Sequence, residues 1–306
     1  MVDITAQMVK QLRDATGAGM MECKKALVEA NGEMEEARVI LRKRGLATAA
    51  KKASRSAKEG LIGLYISPAC DLGLLVEVNC ETDFVAKTPE FQALVEEVKQ
   101  IILESNPADA AALRALPSKS EPSLPVADLL TAKIVKVGEN MAIPRFALVH
   151  AAGALGSYTH PGSKLVVLVD VTSKNPATRE TAEFKELVQD LAMQVAAADP
   201  KFLSKGDVTD DYLSKEKEIH KARALAEGKP EKIADKVVEG RMAKFYEEVC
   251  LLDQPYIKEN SMTITQLLAE KSKQLGDELG VAAFVRYKVG ETVAAEEPVA
   301  ETPAAE

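Results

Sequence analysis

The sequence has no tryptophan, and aromatic residues make up only 4% of it, so its core must be built mostly from Leu, Val, Ile, Met and Ala. No run of about 18 apolar residues occurs, which leaves no candidate membrane-spanning helix. The opening Met1-Val2-Asp3-Ile4-Thr5 lacks the basic start and the apolar stretch of a signal peptide. Cysteines are few and scattered, at Cys23, Cys70, Cys80 and Cys250. None forms a Cys-x-x-Cys pair, so neither a zinc site nor a disulfide frame is indicated, and reduced thiols in a cytoplasmic protein are expected.

Signs of catalysis are missing as well. His150, His160 and His220 carry no cue tying them to a nucleophile, and neither a Gly-x-Ser-x-Gly elbow nor a His-Glu-x-x-His pair is present. Gly156, Gly162, Ser163 and Lys164 are phosphate-loop residue types at the wrong spacing. No carboxylates cluster at metal-ligand spacing. The expectation is a protein that is not an enzyme and holds no cofactor or metal of its own.

What is present is a globular chain of 306 residues, 46% apolar and 28% charged, long enough for about two domains. Its net charge of −8 is uneven. Residues 1–58 hold 12 basic against 7 acidic side chains, and the remainder 27 against 40. A basic head on an acidic body fits either nucleic acid or an acidic protein partner.

Residues 1–45 read as three short helices. Thr5 caps the first, whose Met8, Val9 and Leu12 follow helical spacing, and Gly17 and Gly19 end it. The second runs from Met20 to Ala30 and stops at Asn31-Gly32. The third runs from Glu33 to Arg44 and stops at Gly45, with acids at its start and bases at its end. Of the adjacent Met20 and Met21, one is expected in the small core. Adjacent helical residues face different ways, so the other is free to offer a pliable apolar patch. Residues 46–60 read as a mobile basic linker that can be helical in part. Its Lys51, Lys52, Arg55 and Lys58 lack interleaved aromatics, so stacking on bases is unsupported.

An α+β region with an internal repeat follows. The strand at 74–78 leads through a polar loop to a helix carrying Phe91, Leu94, Val95 and Val98. The strand at 165–171 leads through another polar loop to a helix carrying Phe184, Leu187, Val188 and Leu191, at the same spacing. Each strand is preceded by an apolar run, 61–66 and 145–151, which predicts two related hairpin-plus-helix halves. The Pro- and Ser-containing residues 117–125 mark a loop between or within the halves. Residues 209–252 read as a helical hairpin broken at Gly228-Lys229-Pro230. One arm lines up Ile233, Val237, Val238, Phe245, Val249 and Leu252. The other is poorer, with Tyr212, Ile219, Ala222 and Ala226, so a second copy or another protein would complete the seam. Residues 281–289 read as a closing strand. The tail 291–306, with five Glu and two Pro, reads as disordered.

The boundaries that result are a head with linker at 1–57, a first core half at 58–144, and a second at 145–290 with the hairpin inserted at about 200–252. The acidic tail at 291–306 follows. Between the first core strand and the helix opened by Pro89 lies Asn79-Cys80-Glu81-Thr82-Asp83-Phe84-Val85. From the residues alone Phe84 has two readings. It caps the core while Asp83 caps a helical turn, or it is an exposed aromatic wedge beside a carboxylate.

Several long motifs, in order, resemble the elongation factor Ts family of bacterial translation. They are Val9-Lys10-Gln11-Leu12-Arg13, Thr16-Gly17-Ala18-Gly19-Met20-Met21, Cys23-Lys24-Lys25-Ala26-Leu27 and Val76-Glu77-Val78-Asn79-Cys80-Glu81-Thr82-Asp83-Phe84-Val85-Ala86. Gly156-Ser157-Tyr158-Thr159-His160-Pro161-Gly162 and Val238-Glu239-Gly240-Arg241-Met242 match too, and together they cover about residues 1–290. The resemblance implies a ubiquitin-associated-like three-helix head, a two-part α+β core and a protruding coiled-coil hairpin. It implies binding to elongation factor Tu, in its GDP-bound and nucleotide-free forms, and release of the GDP. Carried over, Thr82, Asp83, Phe84 and Val85 would enter the partner beside its magnesium and phosphate region, the magnesium being the partner's. Leu12, Met20 and Met21 would contact the partner's nucleotide domain, and His160 another of its domains. Family members with a C-terminal helix differ from this tail, where Pro298 and Pro303 stand. Two other readings compete: an adaptor head without exchange activity, which would have no use for Asp83-Phe84, and an RNA-binding protein, which the acidic body argues against. Self-association through the hairpin is a further expectation.

Overall fold

The computed structural model describes residues 3–228 and 230–292, except for the side chains at 224, 231–237 and 239. The tail from 293 onward, Lys229 at the hairpin tip and the side chains of Ile233 and Val237 lie outside the described residues.

Three helices form the head: α1 (Ala6–Thr16), α2 (Met20–Glu29) and α3 (Met34–Lys52). Thr5 accepts from the Met8 N–H at the start of α1, and Gly17, left-handed at φ 66°, closes it. Leu12, Cys23, Ala26, Leu27 and Ala37 fill the small core. The third helix does not stop at Gly45. It runs on to Lys52 and takes in about the first half of the stretch expected as a linker. The reason is tertiary. Gly45 is buried where α3 lies against a core helix, and a Cβ there would sit 3.4 Å from a Val135 methyl and 3.7 Å from that of Thr131. Those are ordinary packing distances, and it is the packing of α3 against that helix that outweighs the roughly 1 kcal/mol helix cost of glycine.

The first core half contains β1 (Glu59–Ile66), β2 (Leu72–Cys80), the single turn α4 (Asp83–Ala86), α5 (Pro89–Ser105), α6 (Ala110–Ala115), α7 (Val126–Val137) and β3 (Met141–His150). The second contains β4 (Ala154–Thr159), β5 (Leu165–Ser173), α8 (Ala182–Ala198), the hairpin helices α9 (Asp210–Ala226) and α10 (Glu231–Val249), the short pair β6 (Pro255–Tyr256) and β7 (Glu259–Thr263), α11 (Ile264–Leu275) and β8 (Leu279–Lys288). The sheets run β1-β2-β3 and β4-β5-β8, antiparallel throughout. This corrects one expectation. The run at 145–151 is not the hairpin partner of the second half but most of β3, paired to β2. The first half thus extends through His150, and the partner of β5 is β4. Pairing is non-local, so an apolar run alone does not say which strand it will join.

The repeat extends further than the helix spacing shows. From β2 through α5 the chain matches β5 through α8 residue for residue, Leu72 answering to Leu165 and Ser105 to Ala198. Thr88 and Thr181 cap the two 17-residue helices, and Asn106 and Asp199 end them in the left-handed region. Gly138 and Gly276 likewise end α7 and α11 ahead of β3 and β8.

The central strands are buried on both faces, with alternate residues going to different cores. Leu74, Val76 and Val78 face α5 and α7, and Val167, Val169 and Val171 face α8 and α11. Leu75 packs with Val166 and Leu168 between the sheets. Each such side chain contributes roughly 1.5–3 kcal/mol on burial. Glu77, fully buried on β2, is matched by Arg145 Nε at 2.7 Å and by the Gly290 N–H at 2.8 Å. Outside this frame the hairpin buries Val238, Met242 and Phe245 at its base, whereas Ile219 and Leu225 on α9 are exposed.

Candidate functional site

The loop between β2 and α5 is built by its own side chains. Thr82 is the N-cap of α4, its hydroxyl accepting from the Val85 N–H at 3.4 Å. Thr88 caps α5, with Pro89 in its first turn. Val85 packs onto the first core and Ala86 is buried, so the turn is anchored from beneath. Phe84, directly before them in sequence, is 79% exposed. Of its two readings, the core cap is excluded. Asp83 is half-buried and accepts from Lys87 Nζ at 2.6 Å. That bond chiefly, with a smaller contribution from the Lys164 charge, holds its carboxyl below the ordinary range.

Three neighbours fix the loop from outside. The Glu139 carboxylate accepts from the Thr82 N–H at 3.0 Å and from the Thr82 hydroxyl at 2.7 Å. Glu81 accepts from the Asn140 N–H at 2.6 Å and meets Arg55 at 3.5 Å. Cys80 is buried, its Sγ 3.1 Å from the Thr82 carbonyl, and burial pushes its thiol up to about 12. Asn79 is also fully buried, so neither residue offers surface.

His160 lies on the exposed turn between β4 and β5, its Nδ1 3.1 Å from the Tyr158 hydroxyl. The turn rests against β1, where the Ile62 N–H donates to the Ser163 carbonyl at 2.8 Å and Lys164 meets Glu59 at 2.5 Å. Glu59 is the strand partner of Cys80. The fold therefore brings the His160 turn and the Asp83–Phe84 loop to one end of the core.

The head differs from expectation. Met20 and Met21 are both exposed, at 56% and 64%. The inward row of α2 is Cys23, Ala26 and Leu27, and its first turn stands clear of that core. Leu12, by contrast, is wholly buried, so it has no surface to give a partner and instead locks α1 onto α2. Val28, which sequence reasoning passed over, is 56% exposed and lines a shallow depression with Met21, Lys24 and Lys25. Its signal was its place one helical turn from Lys24 and two from Met21. The head is tied toward the loop. Lys52 Nζ donates to the Gly138 carbonyl at 2.6 Å, and Asn140 Nδ2 to the Arg55 carbonyl at 2.8 Å.

Among the described residues no three His, Cys, Asp or Glu side chains are grouped to hold a metal ion, and no helix is long and apolar enough to cross a membrane. The geometry offers a rigidly based aromatic side chain beside a carboxylate.

Comparison with known proteins agrees with the motifs. The family model described as Elongation factor TS matches residues 81–291. Elongation factor Ts of Clostridium kluyveri is 47% identical over 291 residues, covering 95% of this chain and 94% of its own length. Those of Clostridium perfringens and Trichlorobacter lovleyi are 45% identical over 291 residues and 44% over 289, covering 95% and 94% of this chain and 94% and 93% of their own lengths.

Proposed function

The chain belongs to the elongation factor Ts family, and from that premise we propose that it binds elongation factor Tu carrying GDP and drives the nucleotide out by inserting the loop that bears Asp83 and Phe84. Membership implies nucleotide exchange on elongation factor Tu, a change of binding state rather than a making or breaking of bonds in a substrate. The insertion of this loop is our reading. The observation that carries it is the exposure of Phe84 on a turn whose base is buried and hydrogen-bonded.

An isolated exposed aromatic needs no explanation, but a fixed one is a ready wedge. Burying the ring in a partner would contribute roughly 1.5–3 kcal/mol. Asp83, kept ionised by Lys87, would bring negative charge to the neighbourhood of the partner's magnesium and phosphates, where it competes for the same cationic and donor groups. Thr82 and Val85 would hold the wedge at its two ends.

Exchange follows from linkage. The factor speeds release only by favouring a partner conformation that holds GDP poorly, and the nucleotide must weaken the factor's grip by the same factor. Binding energy for the distortion would come from wider contacts: the Met20–Met21 patch on the head and the exposed turn with His160. Leu12, wholly buried, would contribute only by holding α1 onto α2. The exposed Ile219 and Leu225 are the surface through which the hairpin would self-associate, a point that sedimentation at varied concentration decides.

Stopped-flow release of a fluorescent GDP from elongation factor Tu tests the reading. The chain should accelerate release, and Phe84→Ala should slow that release more than it weakens complex formation.

A further inference from the structure

We infer that Glu139 is a positioning residue for exchange, acting through Thr82 to hold the Asp83–Phe84 turn in its projecting pose and linking that pose to the end of the head helix. The inference rests on the reading of that loop as the exchange wedge.

Glu139 lies in the short turn between α7 and β3, after Gly138, whose φ of 89° ends the helix. Both its oxygens grip one residue, Oε1 taking the Thr82 hydroxyl and Oε2 the Thr82 N–H. The same hydroxyl oxygen accepts from the Val85 N–H. A single carboxylate thus orients the residue before Asp83 and, through it, the residue after Phe84. The neighbouring pair makes the reciprocal contact, Asn140 donating its N–H to Glu81. Two adjacent residues of the turn therefore clasp two adjacent residues of the loop. Lys52 on Gly138, and Arg55 between Glu81 and the Asn140 amide, join this clasp to the chain at the end of α3.

The internal repeat supplies the competing explanation and also the control. In the second half Asp277, directly after Gly276, stands where Glu139 stands after Gly138. It accepts from the Lys174 N–H at 3.1 Å and the Asn175 N–H at 3.2 Å. A carboxylate that fastens this loop is therefore part of the fold in both halves. Asp277 also takes a side-chain hydrogen bond, from Thr178, but only the first copy connects to the head helix and fastens a loop with an exposed aromatic ring. In the second copy Pro176 and Ala177 replace Asp83 and Phe84. If Glu139 served the fold alone, Glu139 and Asp277 would be equivalent in an exchange assay.

The test measures fluorescent-GDP release from elongation factor Tu across concentrations of the full chain. It separates the rate at saturation from the concentration for half effect. Glu139→Gln, which keeps size while removing the charge and one acceptor, should lower the saturating rate on the order of tenfold. The half-effect concentration should move by less than about threefold. Asp277→Asn should leave both unchanged. Added to Phe84→Ala, Glu139→Gln should slow release by a smaller factor than it does alone, because part of its effect passes through the ring already removed. Should Glu139→Gln fail to fold, Thr82→Val read against Thr82→Ser removes and restores the hydroxyl donor from the other side, and should show the same loss and rescue. Equal behaviour of Glu139→Gln and Asp277→Asn, or full additivity with Phe84→Ala, would overturn the inference while leaving the exchange reading intact. A wild-type chain that fails to speed release, or a Phe84→Ala chain as fast as wild type, would instead bring down the reading on which it rests.

Discussion

Phe84 and Ala177 occupy one position in two copies of the same strand–loop–helix unit, and the first copy projects a phenyl ring where the second has a methyl group. In the second copy Arg179 ties the loop down, donating to the Ser173 hydroxyl at 3.0 Å and the Gly153 carbonyl at 2.8 Å. The fold therefore does not need an aromatic residue here. Phe84→Ala should change folding stability by no more than about 0.5 kcal/mol in urea titration. Phe91→Ala, at a fully packed site on α5, should cost about 3–5 kcal/mol.

Arg145 on β3 pairs with the buried carboxylate of Glu77 and lies 4.1 Å from the Tyr287 ring centroid on β8, so it joins both sheets. Arg145→Met should cost about 3–5 kcal/mol in denaturant, because it strands a buried charge. Glu77→Gln added to that variant should recover part of the loss. A cost below 1 kcal/mol would mean that Glu77 is satisfied some other way.

Glu90, in the first turn of α5, reaches Lys136 at 2.8 Å and Lys133 at 3.1 Å on α7. Its bond to Lys136 first, and then that to Lys133, hold its carboxyl below the ordinary 4.5 despite an opposing push from burial. The unfolded chain therefore takes up this proton at higher pH than the folded chain. The stabilisation is complete above 4.5 and is lost as pH falls through the lowered folded value. Glu90→Gln should accordingly lower the thermal midpoint at neutral pH and have much less effect in strong acid.

Burial is the chief cause that raises the thiols of Cys23, Cys80 and Cys250, the last two to about 12 and about 11. Cys70, in the hairpin turn, is the one cysteine with accessible surface. Brief alkylation of the folded chain should label Cys70 alone, and labelling in denaturant should reach all four, as peptide mass spectrometry will show.

Much of this architecture is written in local spacing. Thr5, Thr88 and Pro89 start helices because their side chains or fixed φ suit an N-terminus, and Phe91 and Phe184 with their followers mark two faces that bury alike. The α+β character and the duplicated strand–helix units are legible at that level. Gly45 is not, because its meaning depends on Val135, far along the chain. The partner of β5 is not legible either, since the apolar run at 145–151 suits any strand with a free edge. The site is the least legible part. A phenylalanine flanked by Asp83 and Val85 fits a core as readily as a wedge, and the resemblance to a family, rather than any pattern of spacing, drew attention to it. The burial of Val85 and Ala86 beneath an exposed ring, and the hold of Glu139 on Thr82, appear only when residues distant in sequence are brought together.

The most direct test of the central claim is the rate at which fluorescent GDP leaves elongation factor Tu at saturating concentrations of the wild-type chain and of Phe84→Ala. The wild-type chain should accelerate release well above the unassisted rate. Phe84→Ala should lose at least about tenfold of that acceleration, as removal of some 1.4 kcal/mol or more of transition-state stabilisation requires, while still forming the complex. Equal saturating rates for the two chains would contradict the account.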